Sequence, residues 1–215
     1  MGAIARNAAN KITTGGVFTS GAITNDSVTG ITVLANASDG ITLISSQTAS
    51  NSASISFTSG LTSTYKAYKF VFSSIHPRTD DVYFQFNLST DGGSNYNVTK
   101  TTTYFTAYQN EAGNSTSLTY ETPHDLAQST AFAPISSNVG NGADEIVAGS
   151  LILFNPASTT YVKHFIINNS NYNSYDYNNN NFVAGYGNTT SACNAIQFKM
   201  SSGNFDGTIA LYGIK

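Results

Sequence analysis

The sequence predicts an all-β protein, a jelly-roll-like antiparallel β-sandwich preceded by an extended N-terminal arm. Three observations predict it. Only 10% of the 215 residues are charged, against about 25% in an ordinary soluble domain; Ser, Thr and Asn fill the difference, and they favour strands, turns and local backbone hydrogen bonds over helix interiors. The 13 Tyr and 13 Phe suit pleated surfaces. From about residue 53 apolar residues recur at every second position, and turn residues punctuate them where a βαβ chain would carry amphipathic helices.

Residues 1–50 read as the arm. They hold one aromatic, Phe18, and no Tyr, too little to build a core alone. Short extended pieces broken by GG, SG and DG turns are expected, with a helix over residues 3–12 whose Ile4, Ala8 and Ile12 share one face. Such an arm takes its stability from a partner, by adding a strand to a neighbouring subunit or lying across it. Its own sandwich is the other surface available.

Residues 51–215 read as the sandwich. SASISFTSG puts Ile55 and Phe57 on one face; YKAYKFVFSSI alternates Tyr68, Phe70 and Phe72 against Lys69 and Val71; DVYFQFNLS alternates Phe84, Phe86 and Leu88 against Tyr83, Gln85 and Asn87. TTYFTAYQ, STSLTYE, STAFAPISS, DEIVAGSLILFN, TYVKHFIINN, NNFVAGYGN, NAIQFKM and GTIALYGI continue the pattern to ten or eleven short strands in two sheets. Ile209, Leu211 and Tyr212 place the last strand inside a sheet, not in a tail.

The net charge is −3 and the nine Lys and Arg are scattered, so no basic stripe tracks a phosphate backbone and nucleic acid is not an expected partner. A polar surface with few charges suits faces covered by neighbours, because covering it desolvates little charge. Cys193 is the sole cysteine, which excludes an intrachain disulfide and reads as a small buried hydrophobe. No 18-residue apolar stretch crosses a membrane, and MGAIARNAANK lacks the apolar core of a signal peptide and the Ser or Thr of a myristoylation signal. The sequons at Asn97 and Asn188 are expected to stay unmodified.

The densest chemistry lies in SSIHPRTDDVYFQF, where His76, Arg78, Asp80 and Asp81 fall within six residues. Pro77 lacks a donor and fixes φ, so this reads as a polar connection between strands. Asp80 or Asp81 is expected to accept local backbone N–H groups, and Arg78 to pair with either carboxylate. His76, His124 and His164 show no metal-ligand spacing, and no phosphate loop or nucleophile elbow occurs. The acids Asp125 and Glu145 would have to meet from distant strands to hydrolyse a glycoside. STDGGSNYN reads as a hairpin turn on Asp91, Gly92 and Gly93, without the acid density of a calcium loop. The expectation is no enzyme, no cofactor and no metal.

The segment NNSNYNSYDYNNNNF, residues 168–182, reads as a long exposed loop or an intersubunit contact. Alternatively, Tyr172, Tyr175 and Tyr177 among asparagines stack on sugars while the amides bond their hydroxyls.

The stretches YKFVFSSIHPRTDDVYFQFNLSTDGGSNYNVTKTTTYFTAYQNE, YETPHDLAQST, FNPASTTYVKHFI and AIQFKMSSGNFDGTIALYGIK resemble a family of virion structural proteins of tailed bacteriophages, especially marine phages that infect cyanobacteria. The resemblance covers about residues 53–215. It implies a non-enzymatic virion part, a symmetric homo-oligomer with a trimer favoured, and attachment to other virion proteins through residues 1–50. Two places in the particle follow from it. A head decoration would grip the capsid with the arm and bridge capsomers with the sandwich. A tail fibre or appendage would present sandwich loops, including residues 168–182, to a host glycan.

Overall fold

The computed structural model describes residues 40–215, and these form an all-β sandwich without a helix. The expected helix over residues 3–12 and the arm up to residue 39 lie outside the described residues. Twelve strands follow in chain order: β1 Ile41–Ser52, β2 Ile55–Phe57, β3 Ala67–Pro77, β4 Phe84–Ser89, β5 Lys100–Asn110, β6 Thr116–Tyr120, β7 Ala133–Pro134, β8 Val147–Phe154, β9 Lys163–Tyr172, β10 Tyr177–Gly187, β11 Ala195–Met200 and β12 Phe205–Ile214. One antiparallel sheet has eight strands in the order β1-β12-β3-β8-β9-β10-β5-β6, and the other has four in the order β2-β11-β4-β7. A jelly roll divides eight strands evenly; here the layers are unequal, and that inequality shapes everything below.

β1 takes in residues 41–50, which composition assigns to the arm. It pairs with β12 from Ile41↔Ile214 to Ser52↔Phe205, so residues 41–50 belong to the sandwich and not to an arm that ends at 50. β12 in turn lies between β1 and β3, as its alternation predicts, and buries Phe205, Ile209 and Leu211.

The apolar core sits where the small sheet covers the large one. Phe198 of β11 is its hub, with ring centroids 5.3 Å from Phe70, 5.4 Å from Phe72 and 6.0 Å from Phe84. Edge-on contacts such as Phe72–Phe84, at 5.2 Å and 88°, suit the ring quadrupoles. Cys193 is buried beside this core, in keeping with its reading as a small hydrophobe.

Four strands cannot cover eight, and the large sheet changes its inner face accordingly. Along β9 the buried residues run Phe165, Ile167, Asn169, Asn171, and along β10 they run Asn179, Asn181, Val183. The amides bond instead of packing. Asn181 Nδ2 donates to Asn169 Oδ1 at 2.9 Å and Asn171 Oδ1 at 2.6 Å, while Asn169 and Asn171 donate onward to the carbonyls of Ile135 and Ser137. Residues 131–139, which hold only the two-residue β7, are thereby pinned over this half of the sheet. A buried polar layer is tolerable only when its members find partners. The segment that reads as a long loop, residues 168–182, is therefore a hairpin; only residues 173–176 turn.

Among the described residues two lysines are wholly buried. Lys100 Nζ donates to Val98 O at 2.7 Å and to Asn87 Oδ1, and burial lowers its pKa from the ordinary 10.5 to about 7. Lys163 Nζ is ringed by the carbonyls of Ser158, Tyr161, Thr189 and Thr190.

The connection from β3 to β4 carries the chain from the large sheet to the small one, and its charges are partnered differently from the sequence expectation. Arg78 pairs with neither Asp80 nor Asp81. It makes a two-point contact with Asp206 on β12, Nε–Oδ2 2.8 Å and Nη2–Oδ1 3.0 Å, because Asp206 stands opposite His76 in the β3–β12 register while the chain has already turned away at residues 80 and 81. Asp80 accepts the backbone N–H of Asn141 at 3.3 Å, from outside the connection, and His76 Nε2 lies 2.9 Å from the carbonyl of Gly142. The stretch at 89–97 is also corrected. Asp91 does close a turn, accepting from Ser89, Asn95 N–H and Asn95 Nδ2, but that turn leads from β4 in one sheet to β5 in the other and is not a hairpin.

Candidate functional site

A cleft of about 280 Å³ opens where the cover over the large sheet ends. Its floor is the inner face of the β5–β10 pair: Thr106 and Tyr108 from β5, Tyr177 and Asn179 from β10. One wall is Glu121 with His124, from the segment after β6; the other is Ser137 and Asn138 with Asn173 and Tyr175 of the β9–β10 turn.

Local chemistry fixes each wall. Asn173 Oδ1 accepts the N–H groups of Tyr175 and Tyr177, both at 3.0 Å, which folds the turn around one amide. Asp81 clamps it from outside, accepting Asn138 Nδ2 at 2.7 Å, Tyr175 Oη at 3.0 Å and Ser174 Oγ at 3.4 Å. The bond from Tyr175 holds its phenol pKa above the ordinary range. Tyr108 and Tyr177 meet edge to face, 5.2 Å between centroids, at the floor.

His124 sits edge-on to Tyr83 at 4.9 Å and tilted against Tyr104 at 5.1 Å. Burial lowers its pKa, and the Glu121 carboxylate, 4.0 Å from Nδ1, opposes that shift. Neither ring nitrogen has a hydrogen-bond partner among the described residues, and Tyr104 Oη and Asn181 Oδ1 share that condition. Burying such atoms unpaired costs about 1–3 kcal/mol each.

The three tyrosines singled out in the sequence do not form one platform. Tyr175 and Tyr177 reach the cleft. Tyr172 opposes Asn178 across the hairpin and belongs to the opposite face of the sheet, where its hydroxyl donates to Asp176 at 3.3 Å. Tyr108, Glu121 and His124 enter the site without a sequence signal of their own, since nothing in the spacing links residues 108, 121–124 and 173–179.

No family model, curated protein or solved structure matches the chain. Its chemistry must therefore be read from its own side chains. Among the described residues no three His, Cys, Asp or Glu are grouped to hold a metal ion. His76 lies at the end of β3, opposite Asp206 of β12, so that the strand runs through Pro77 where the sequence predicts a connection; His124 occupies the segment after β6, and His164 points out from β9. Asp125 accepts the Tyr120 hydroxyl at 2.7 Å and Glu145 accepts the N–H of Gly142, so each is engaged locally.

A second surface lies on the opposite, outer side of the large sheet. The outward residues of β8, β9, β10, β5 and β6 include Ile152, Ile166, Phe182, Phe105 and Leu118, and none of these five strands turns an Asp, Glu, Lys or Arg outward. Phe105 and Phe182 stack flat at 5.0 Å and 12°. Ile166 is 52% exposed and Leu118 71%.

Proposed function

We propose that the protein is a non-enzymatic structural component of a bacteriophage particle that associates with copies of itself through the outer face of the eight-stranded sheet. The observation that carries this reading is the five-strand surface of aliphatic, aromatic, amide and hydroxyl groups, with the His164 imidazole among them and without an Asp, Glu, Lys or Arg. A broad face that mixes exposed apolar side chains with uncharged polar ones suits an interaction surface. At about 4.8 Å per strand and 3.3 Å per residue, five strands by seven residues present roughly 550 Å², most of the about 800 Å² per partner that a stable interface buries. Amides and hydroxyls interspersed among the apolar groups lose little on desolvation when they can bond across the interface.

The edges support the same reading. Among the described residues β1 and β6 bound the large sheet, and neither carries a charge or a proline, the devices by which edge strands of monomers avoid pairing. The long stretches that resemble phage virion proteins supply the particle, the preference for a trimer and the attachment role of the N-terminal arm, less residues 41–50, which belong to β1. A head decoration is the favoured place, because a shell offers every copy the same closed set of contacts.

Light scattering on the purified protein tests the assembly: an oligomer is expected, which Phe105→Glu with Ile166→Glu reduces to a folded monomer. A monomeric wild type, or an oligomer indifferent to both charges, overturns it. Quantitative mass spectrometry of purified particles tests the place: shell-like copy number supports the head, low copy number places the protein on the tail, and absence from the particle overturns the virion reading.

A further inference from the structure

We propose that the cleft between the Glu121–His124 segment and the β9–β10 turn is a binding site for one uncharged pyranose ring of a glycan. This inference stands on the cleft alone and does not depend on how copies assemble.

The lining selects the ligand class by what it offers and what it lacks. No Lys or Arg lines it, and its one formal charge is the Glu121 carboxylate. Phosphates, nucleotides, sialic acids and uronic acids would meet that carboxylate without a compensating cation. A fully apolar ligand would strip water from Thr106, Ser137, Asn138, Asn173 and Asn179 without replacing its bonds. At about 280 Å³ the cleft falls just below the roughly 300–1,000 Å³ of sites for drug-sized ligands, which leaves room for a single sugar ring.

A pyranose matches the remaining features. Its apolar C–H face lies on the aromatic edge formed by Tyr108 and Tyr177, and its hydroxyls both donate and accept. The Glu121 carboxylate accepts from them, and amides around the rim do either. His124 adds an independent sign of a missing partner: it lines the cleft at 8% exposure with both ring nitrogens unpaired among the described residues. A hydroxyl seated between Glu121 and Ser137 supplies that partner after a small ring adjustment. The Asp81 bonds to Tyr175, Ser174 and Asn138 hold the far wall before the sugar arrives, which lowers the ordering cost of binding.

Saturation-transfer NMR on the full chain, with methyl glycosides of glucose, galactose, mannose and N-acetylglucosamine against methyl glucuronide and a methyl sialoside, tests the assignment. Transfer to at least one neutral glycoside and none to the acidic pair is expected. Tyr177→Ala should weaken binding about tenfold or more, and Glu121→Gln, chosen to preserve the fold, should weaken neutral binding or admit the glucuronide. Tyr172→Ala should leave affinity unchanged. Silence from every sugar, equal binding of acidic and neutral glycosides, or loss of binding in Tyr172→Ala with retention in Glu121→Gln overturns the proposal.

Discussion

The Tyr175 hydroxyl donates a 3.0 Å hydrogen bond to the Asp81 carboxylate, tying the tip of the β9–β10 hairpin to the connection between the two sheets. Asp81 accepts three side-chain donors in all, yet it is exposed, so water replaces part of what its removal takes away. Asp81→Ala should destabilise the fold by only about 0.5–1.5 kcal/mol. The sharper readout is the Tyr175 phenol. Its raised pKa comes first from the bond to Asp81 and then from that carboxylate's charge, so in Asp81→Ala an NMR titration should find it back in the ordinary tyrosine range. An unchanged Tyr175 titration would show that the clamp does not form.

Asn181 presents the opposite case, a buried amide whose two donors hold two other buried amides. Asn181→Ala leaves Asn169 Oδ1 and Asn171 Oδ1 without their donor and opens a cavity between them. The expected loss is about 2–4 kcal/mol, measured by urea unfolding. Asn181→Asp should be worse than Asn181→Ala, because it sets a carboxylate facing two carbonyl oxygens in a buried site. A loss below 1 kcal/mol, on the order of a surface change, would mean that the amide layer is not closed.

The two buried lysines give the fold a pH dependence of defined sign. Lys100 has a folded pKa of about 7 against an ordinary 10.5, and Lys163 shifts in the same direction. Between pH 7 and 10.5 the unfolded lysine therefore binds more protons than the folded one, and stability rises with pH by up to about 1.4 kcal/mol per unit for Lys100. Cys193 acts against this above its ordinary value of 9.0, since burial raises its folded pKa to about 11. Denaturation at pH 7, 8 and 9 should show the rise, and Lys100→Met should flatten it. Stability that falls over this window in the wild type would refute a neutral buried Lys100.

Asp206 and Arg78 form one ion pair with unequal partners. Arg78 has a half-exposed side chain whose guanidinium bonds Asp206 alone among the described residues, and screening keeps such a pair at about 0–1 kcal/mol. Asp206 also accepts the N–H of Asn51 at 2.8 Å, securing the end of β1 where its register with β12 shifts. Thermal unfolding should find Asp206→Ala more damaging than Arg78→Ala. The reverse order would place the function of Arg78 outside this chain, in a contact with a neighbour.

The sandwich was legible because Phe70, Phe72, Phe84, Phe86 and Phe198 write a period of two in apolar letters. Residues 169–181 obey the same period in asparagine, with Asn169 and Asn171 on one strand, Asn173 opening the turn, and Asn179 and Asn181 on the next strand turned inward. A hydrophobicity pattern cannot register that alternation, because amides satisfy one another where apolar side chains would pack, and so a strand pair reads as a loop. Arg78 misled differently: local proximity favoured Asp80 and Asp81, whereas register across β3 and β12 brought a carboxylate from residue 206. The cleft was half visible, through Tyr175 and Tyr177. Glu121 and His124 join it only because β5, β6 and β10 are neighbours, which no spacing along the chain announces.

The position of β12 also sets a timetable. β3, rich in aromatic residues, has β12 as one of its two neighbours, and among the described residues β1 has no other partner in its sheet. Neither ladder can be completed until β12 has left the ribosome, so β1 and β3 must wait with the edges that β12 covers unpaired. Contacts of such sequence separation make folding slow and the nascent chain prone to misassociation. A ribosome-bound chain lacking β12 is accordingly expected to recruit chaperones, and emergence of residues 205–214, not synthesis of the aromatic core, starts the clock for the native sheet.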